Sequence, residues 1–479
     1  MPRDPLIVIL GATGTGKSQL AVALAERFHG EIINGDALQL YHGLPIATNK
    51  MSSQERKDIP HHLLGCMGLQ DETWNVGKFE VRADEVIKDI GARGKLPILV
   101  GGTHYYTQSL LFKEYMIEKS EQQLSTQDEE TKWPILAASG EEMLEELCKL
   151  DPVIASRWHP RDRRKIRRSL LLCLQSGRKV SDLYEEKLSE MPRMPTDSFS
   201  DGEVGGKEGP ELLHSTDVRP ALRYNTLLFW VHTEPEVLKT RLNERVDQMV
   251  NRGLLAEVQS MRLINQEQKA LGRVVDTSRG IWAAIGYKEF NEYLAAKEQG
   301  VTGKELEKLK IDGLERTKAA TRQYGKSQSR WIRLKLVPAL RNAGVANNLF
   351  VLDSTDISAW TTQLQDPACK LTGDFLAGRL SSAPASLSPA AARLLDESGL
   401  EGDIAGKPCA RVCEACEITT MTERAWKEHS NSRKHKVILK RARRGLDLEA
   451  KARELEIGKA RRSSLEEARE PYIEKARES

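Results

Sequence analysis

Short apolar runs closed by small or polar residues recur along the first three quarters of the chain. They are Leu6-Ile7-Val8-Ile9-Leu10, Glu31-Ile32-Ile33-Asn34, Leu96-Pro97-Ile98-Leu99-Val100, Leu227-Leu228-Phe229-Trp230-Val231 and Leu349-Phe350-Val351-Leu352. Unbroken apolar runs of this length predict strands buried on both faces, as in a parallel sheet. Between them the period changes to that of a helix. Leu20, Leu24 and Phe28 share one helical face, and Trp74 through Ile90, Pro235 to Met249 and Thr317 through Trp331 continue the pattern. Pro60-His61-His62 reads as a loop. From about residue 113 to 225 strand signals stop, while Glu141 to Leu150 and Ile166 to Leu174 read as helices. The expected architecture is α/β, a parallel sheet with an inserted helical subdomain. Its core spans 1–112 and 226–355, and the insertion spans 113–225 with a Gly/Glu/Ser-rich surface loop near 196–218. The Ser-, Ala- and Pro-rich stretch 375–408 is expected to be a linker, and the tail 447–479 a solvated helix or disordered.

The first strand runs into Gly11-Ala12-Thr13-Gly14-Thr15-Gly16-Lys17-Ser18, and a helix follows. Strand, glycine loop and helix in this order are the context of a phosphate-binding P-loop. Glycines let backbone N–H groups turn around an anion, and the helix adds the positive end of its dipole. Lys17 would neutralise phosphate charge, and the Ser18 hydroxyl is placed to hold Mg²⁺. Asp36 closes the second strand, where open parallel sheets bind ligands, although an Asp before Ala37-Leu38-Gln39 could equally be a helix N-cap. Gly101-Gly102-Thr103 ends a third strand at the same crevice.

A net charge of +3 over 479 residues says little about partners, but local clusters do. Arg157, Arg161, Arg163, Arg164, Lys165, Arg167 and Arg168 surround a single acid, Asp162, with Trp158 and His159 interleaved, which points to a polyanion. Near the C-terminus, Cys413-x2-Cys416-x12-His429-x5-His435 has the spacing of a two-Cys, two-His Zn²⁺ site of ββα or helical form. This finger is expected over 409–446. From Lys407 to Arg444, eleven Lys and Arg against four Glu leave a local charge near +7. Cys409 falls outside this spacing, and the other four cysteines are scattered, which suits a reducing compartment. With no apolar run of membrane-spanning length and no room for a presequence, a soluble cytoplasmic protein is expected, a nuclear or mitochondrial pool staying open.

The P-loop is joined by Asn34-Gly35-Asp36-Ala37-Leu38-Gln39-Leu40-Tyr41, Thr48-Asn49-Lys50, Ile59-Pro60-His61-His62 and Gly101-Gly102-Thr103-His104-Tyr105-Tyr106. Further on come His159-Pro160-x-Asp162, Asn243-Glu244-Arg245-Val246-Asp247-Gln248-Met249, Ile285-Gly286-Tyr287 and Ala320-Thr321-Arg322-Gln323-Tyr324. This series, over residues 5 to 355, resembles the tRNA dimethylallyltransferases, and with the finger it looks like their eukaryotic branch. The resemblance implies transfer of a dimethylallyl group from its diphosphate to the exocyclic amine of the adenine 3′ of a tRNA anticodon, by a monomer. Asp36 then matches the general base and Gln39 a contact to the target base. Gly11, Thr13, Gly14, Thr15, Gly16, Lys17, Ser18, Thr103 and Arg245 match the diphosphate side. Arg161, Arg164, Lys165, Arg168, Arg322 and Gln323 fall to the tRNA. Ala12 in place of a usual Pro, and Ala37-Leu38 in place of Ser-Met, depart from the pattern while keeping size or chemistry. A P-loop kinase, a non-catalytic zinc-finger RNA-binding protein and a prenyltransferase of free AMP are the competing readings.

Overall fold

A computed structural model describes residues 4–112, 126–189, 222–396 and 408–440, apart from 273, 274, 278, 382 and 417. The chain divides into two compact units, one of residues 1–121 and 187–402 and the other of residues 122–186 and 403–479.

In the first unit the apolar runs become six strands: β1 (Pro5–Gly11), β2 (Gly30–Asn34), β3 (His61–His62), β4 (Leu96–Val100), β5 (Asn225–His232) and β6 (Leu349–Asp353). All neighbours pair in parallel, in the order β3-β2-β4-β1-β5-β6. Alternation along β1 splits its side chains between two cores. Leu6, Val8 and Leu10 join Phe79, Leu110, Trp230 and Leu340 on one face, while Ile7 and Ile9 join Leu20, Leu24, Phe229 and Leu371 on the other. Helix α1 (Lys17–Phe28) leaves the glycine loop, α2 (Val76–Ala92) leads into β4, and α3 (His104–Leu111) follows it. Phe112 and Leu222 pair in an antiparallel bridge that brings together the two ends of the excursion to the insertion.

The second unit carries α4 (Gly140–Leu150) and α5 (Arg163–Ser176), packed through Met143, Leu147, Ile166 and Leu170. Buried Asp151 joins them to the next helix, accepting the N–H groups of Ile154 and Ser181. Returning to the first unit, α6 (Pro235–Asn251) and the 29-residue α7 (Gly303–Trp331) pack against each other. The second unit also holds a hairpin, β7 (Pro408–Cys413) and β8 (Ile418–Thr422), followed by α8 (Glu423–Asn431).

Two expectations change. His61-His62 is an edge strand rather than a loop: it pairs with Ile32 and Ile33, and His62 Nε2 lies 2.7 Å from the Glu31 carboxylate. The stretch expected to link domains from 375 is packed as far as residue 395. Ala390 and Ala391 are buried, Arg341 donates to the Leu395 carbonyl, and Arg393 pairs with Glu234. Small residues can seat a helix without showing an apolar period. The 196–218 loop and the 447–479 tail lie outside the described residues.

Candidate active site and metal centre

The glycine loop takes its shape from backbone conformations closed to other residues. Gly14 has φ 82° and Gly16 φ 89°, and a Cβ on Gly16 would stand 2.5 Å from the Trp360 ring. Thr15 Oγ1 and Lys17 Nζ donate to the Ala12 carbonyl at 2.9 and 2.6 Å. From α6, Arg245 reaches across to donate to Thr13 Oγ1 at 2.9 Å.

The neighbouring strand ends meet through glycine. A Cβ on Gly101 would fall 2.2 Å from the Gly35 carbonyl carbon, so only two bare backbones can pass this closely. The contact lets Gly35 N–H donate to Val100 O and Thr103 Oγ1 accept the Ala37 N–H. Asp36 is thereby fixed: Asn34 Oδ1 accepts its N–H, and its own Oδ1 accepts Leu38 N–H at 3.0 Å. The two readings of Asp36 meet here, since the carboxylate closes a turn as a cap does yet no helix follows it.

Burial raises the Asp36 pKa above the ordinary carboxylate value, against the opposing pull of Lys17 and Arg245. The same burial lowers Lys17 to about 7, where Asp36 favours its charge and Arg245 opposes it, and lowers Arg245 to about 10. The result is one half-buried carboxylate within electrostatic reach of Lys17 and Arg245 beside the glycine loop. Such a site suits a reaction in which a proton leaves one group while negative charge grows on another.

Gly11, Thr13, Gly14, Thr15, Gly16, Lys17, Ser18, Asp36, Thr103 and Arg245 thus come together in the first unit. Gln39 donates to the Thr48 and Asn49 carbonyls at 3.1 and 3.0 Å, which explains the reach of the Thr48-Asn49-Lys50 motif. Arg322 holds Asn243 on α6, and Gln323 beside it is exposed. The basic run lies in the second unit and is not uniform. Arg163 donates to the Ala137 and Ala138 carbonyls and Arg167 pairs with Glu129, so both fasten α5 to the preceding segment. Lys165 pairs with Asp162 and lies over Trp158, while Arg161, Arg164 and Arg168 are exposed.

Sequence reasoning assigns no role to Gln328, and Tyr324 and His104 enter it only as members of motifs. Gln328 touches both loops of the site, and its i, i+4 relation to Tyr324 on α7 was the available signal. His104, buried beside Lys17, is held to about 3 by desolvation and stays neutral.

Cys413, Cys416, His429 and His435 converge, their ligand atoms all within 4.8 Å of one another. Cys416 Sγ and Cys413 Sγ stand 3.3 and 3.6 Å from His435 Nδ1, close to the roughly 3.5 Å edge of a tetrahedral zinc site. His429 Nε2 is buried without a hydrogen-bond partner. A metal satisfies all four groups, so the donor set fits Zn²⁺.

Residues 39–335 match the family model described as IPP transferase. The tRNA dimethylallyltransferase of Schizosaccharomyces pombe is 35% identical, the likeness covering 95% of this chain and 99% of that protein. Its human counterpart is 32% identical over 93% of this chain and 88% of its own length. A solved eukaryotic dimethylallyltransferase acting on tRNA superposes with a TM-score of 0.73 at 32% identity, covering 93% of this chain and 99% of that one. These likenesses lend no support to a kinase or to a non-catalytic RNA-binding protein. The chain belongs to the tRNA dimethylallyltransferase family of IPP transferases.

Proposed function

We propose that this chain transfers the dimethylallyl group of dimethylallyl diphosphate to the exocyclic amine of the adenosine 3′-adjacent to a tRNA anticodon. The observation that carries this reading is the half-buried Asp36 carboxylate within electrostatic reach of Lys17 and Arg245 beside the glycine loop. The amine nitrogen attacks C1 of the dimethylallyl group, the C1–O bond breaks, and its electron pair leaves on the diphosphate. Asp36 takes the amine proton. An adenine amine is a weak nucleophile, and a positioned base is worth about 10²- to 10⁴-fold. The raised pKa makes Asp36 a stronger acceptor than a solvated carboxylate. Loop amides, Lys17 and Arg245 meet the charge that grows on the leaving group.

Ser18, in the first turn of α1, offers the hydroxyl that would hold Mg²⁺ together with diphosphate oxygens, a donor set suited to that ion. When bound, Mg²⁺ supplies further charge compensation at the diphosphate. In this reading Gln39, its amide held by the Thr48 and Asn49 carbonyls, contacts the target base. Arg322 and Gln323, with Arg161, Arg164, Lys165 and Arg168 on the insertion, serve the anticodon stem-loop, the cations through its phosphates. The target base leaves its stack to reach the donor carbon.

The test incubates the protein with dimethylallyl diphosphate and either unmodified tRNA or AMP, and identifies products by mass spectrometry. Prenylated adenosine in the tRNA is expected, and ATP added to a parallel incubation should not be consumed. Asp36→Asn should lower turnover by about 10²-fold or more at saturating substrates while both still bind. Prenylation of AMP alone refutes the tRNA reading, and near-normal turnover of Asp36→Asn removes it as the base.

A further inference from the structure

The donor loop follows β1 and the Asp36 turn follows β2, with β4 lying between these strands in the sheet. A reaction between groups held on separate loops depends on what fixes the gap. One side chain from α7, more than two hundred residues away from either loop, spans it. Thr13 N–H donates to Gln328 Oε1 at 2.8 Å, and Gln328 Nε2 donates to the Gly102 carbonyl at 3.0 Å. A backbone donor at one end and a backbone acceptor at the other fix the orientation of the amide. The side chain is 4% exposed, so neither bond competes freely with water.

The Gly102 end adjoins the base. A Cβ on Gly102 would lie 2.4 Å from Gln328 Nε2 and 2.9 Å from Asp36 Oδ2. The next residue, Thr103, accepts the Ala37 N–H. The Thr13 end adjoins the donor side, since Thr13 Oγ1 receives Arg245. Three α7 residues at i, i+4 and i+7 point the same way: Tyr324 Oη lies near the Gly102 turn, Gln328 bonds it, and Trp331 Nε1 donates to Gln108 of α3. A Cβ on Gly325 would meet Leu242 at 3.3 Å, so α7 is seated closely against α6 beside the loop.

We propose that Gln328 is a positioning residue: its amide clasps the donor loop to the Gly102–Thr103 turn and so sets the distance between the leaving diphosphate's carbon and the base. The proposal rests on the reading of Asp36 as base and of the glycine loop as donor cradle. Gln328 touches neither substrate in this role. Its effect is on geometry in the transition state, where a displacement of about 1 Å costs on the order of 10²-fold.

Gln328→Met keeps length and approximate volume and removes both bonds. Its kcat should fall about ten- to a hundredfold, with KM for donor and for tRNA each within about threefold and the melting midpoint lower by only about a few degrees. Gln328→Glu retains an acceptor for Thr13 N–H but sets a carboxylate against the Gly102 carbonyl. It should show the same kcat loss, and it carries the test if the Met variant is poorly folded. In an Asp36→Asn background the Met substitution should cost less than about threefold, because the base it aligns is gone. Unchanged kcat, a KM rise in place of a kcat fall, or a full loss persisting beside Asp36→Asn overturns the proposal. Normal turnover in Asp36→Asn alone overturns the assignment of the base instead, while the split between kcat and KM in Gln328→Met still reads the clasp.

Discussion

Lys17 offers a direct test of the electrostatics of the site. Burial lowers its pKa to about 7 in the donor-free protein, despite the attraction of Asp36. At pH 8 about nine tenths of the side chain is then neutral, and at pH 6 about one tenth is. A diphosphate placed against it restores the ammonium, so binding must draw in a proton. The part of the uptake assignable to Lys17, wild type less Lys17→Arg, should approach one proton per donor bound at pH 8 and be small at pH 6. Isothermal titration of a non-reactive thio analogue of dimethylallyl diphosphate, in buffers of differing ionisation enthalpy, measures that number. Lys17→Arg keeps a cation that does not titrate in this range, so its proton exchange reports the donor's own phosphate and serves as the baseline. The same difference at pH 6 and pH 8, or uptake undiminished in Lys17→Arg, refutes the reasoning.

Two further outcomes follow from groups outside the crevice. Glu31 is nearly buried, and Arg93 first and His62 next hold its carboxyl near 2. Its folded pKa lies below the unfolded value of about 4.5, so its contribution is present above that value and lost as pH falls toward 2. Thermal melts between pH 5 and pH 2.5 should show a steeper loss for the wild type than for Glu31→Gln, and parallel curves would deny the pair this role. In the finger, Cys413→Ser or chelation should unfold residues 408–440, because so small a hairpin and helix bury too little apolar surface alone. His159 accepts Arg161 N–H at Nδ1, so it donates from Nε2 to Thr419 O of β8 at 3.0 Å. Hydrogen exchange should therefore rise around 157–161 as well, and a change confined to the finger would show the two segments to be independent.

The legible part of the fold was the part in which one residue type has one use. Apolar runs such as Leu6–Leu10 have no stable place but a buried strand, and Gly-x-x-x-x-Gly-Lys-Ser needs its glycines at positive φ. Asp36 could be placed at a strand end, but not decided between cap and crevice, because a carboxylate suits both and only the convergence of Lys17 and Arg245 separates them. His61-His62 gave no strand signal, since two polar residues pair with β2 only because its edge is open. In the basic run, charge alone could not separate Arg163 and Arg167, which hold α5 in place, from exposed Arg164. Gln328 was hidden for a related reason. A glutamine within a helix is ordinary, and its role comes from two backbones that α7 meets only in the folded chain.

That long reach has a consequence for how the protein is made. The bond between Thr13 and Gln328 closes a loop of 315 residues, and β1 receives its β5 partner only when residues 225–232 arrive. At roughly 5 to 20 residues per second, about 15 to 60 s of synthesis separate the glycine loop from the glutamine that holds it. Through most of that interval β1 has at most one strand neighbour, and late members of its two cores, such as Leu340 and Leu371, are not yet translated. The first element to leave the ribosome is among the last to be completed, so the site cannot form piecemeal on the nascent chain.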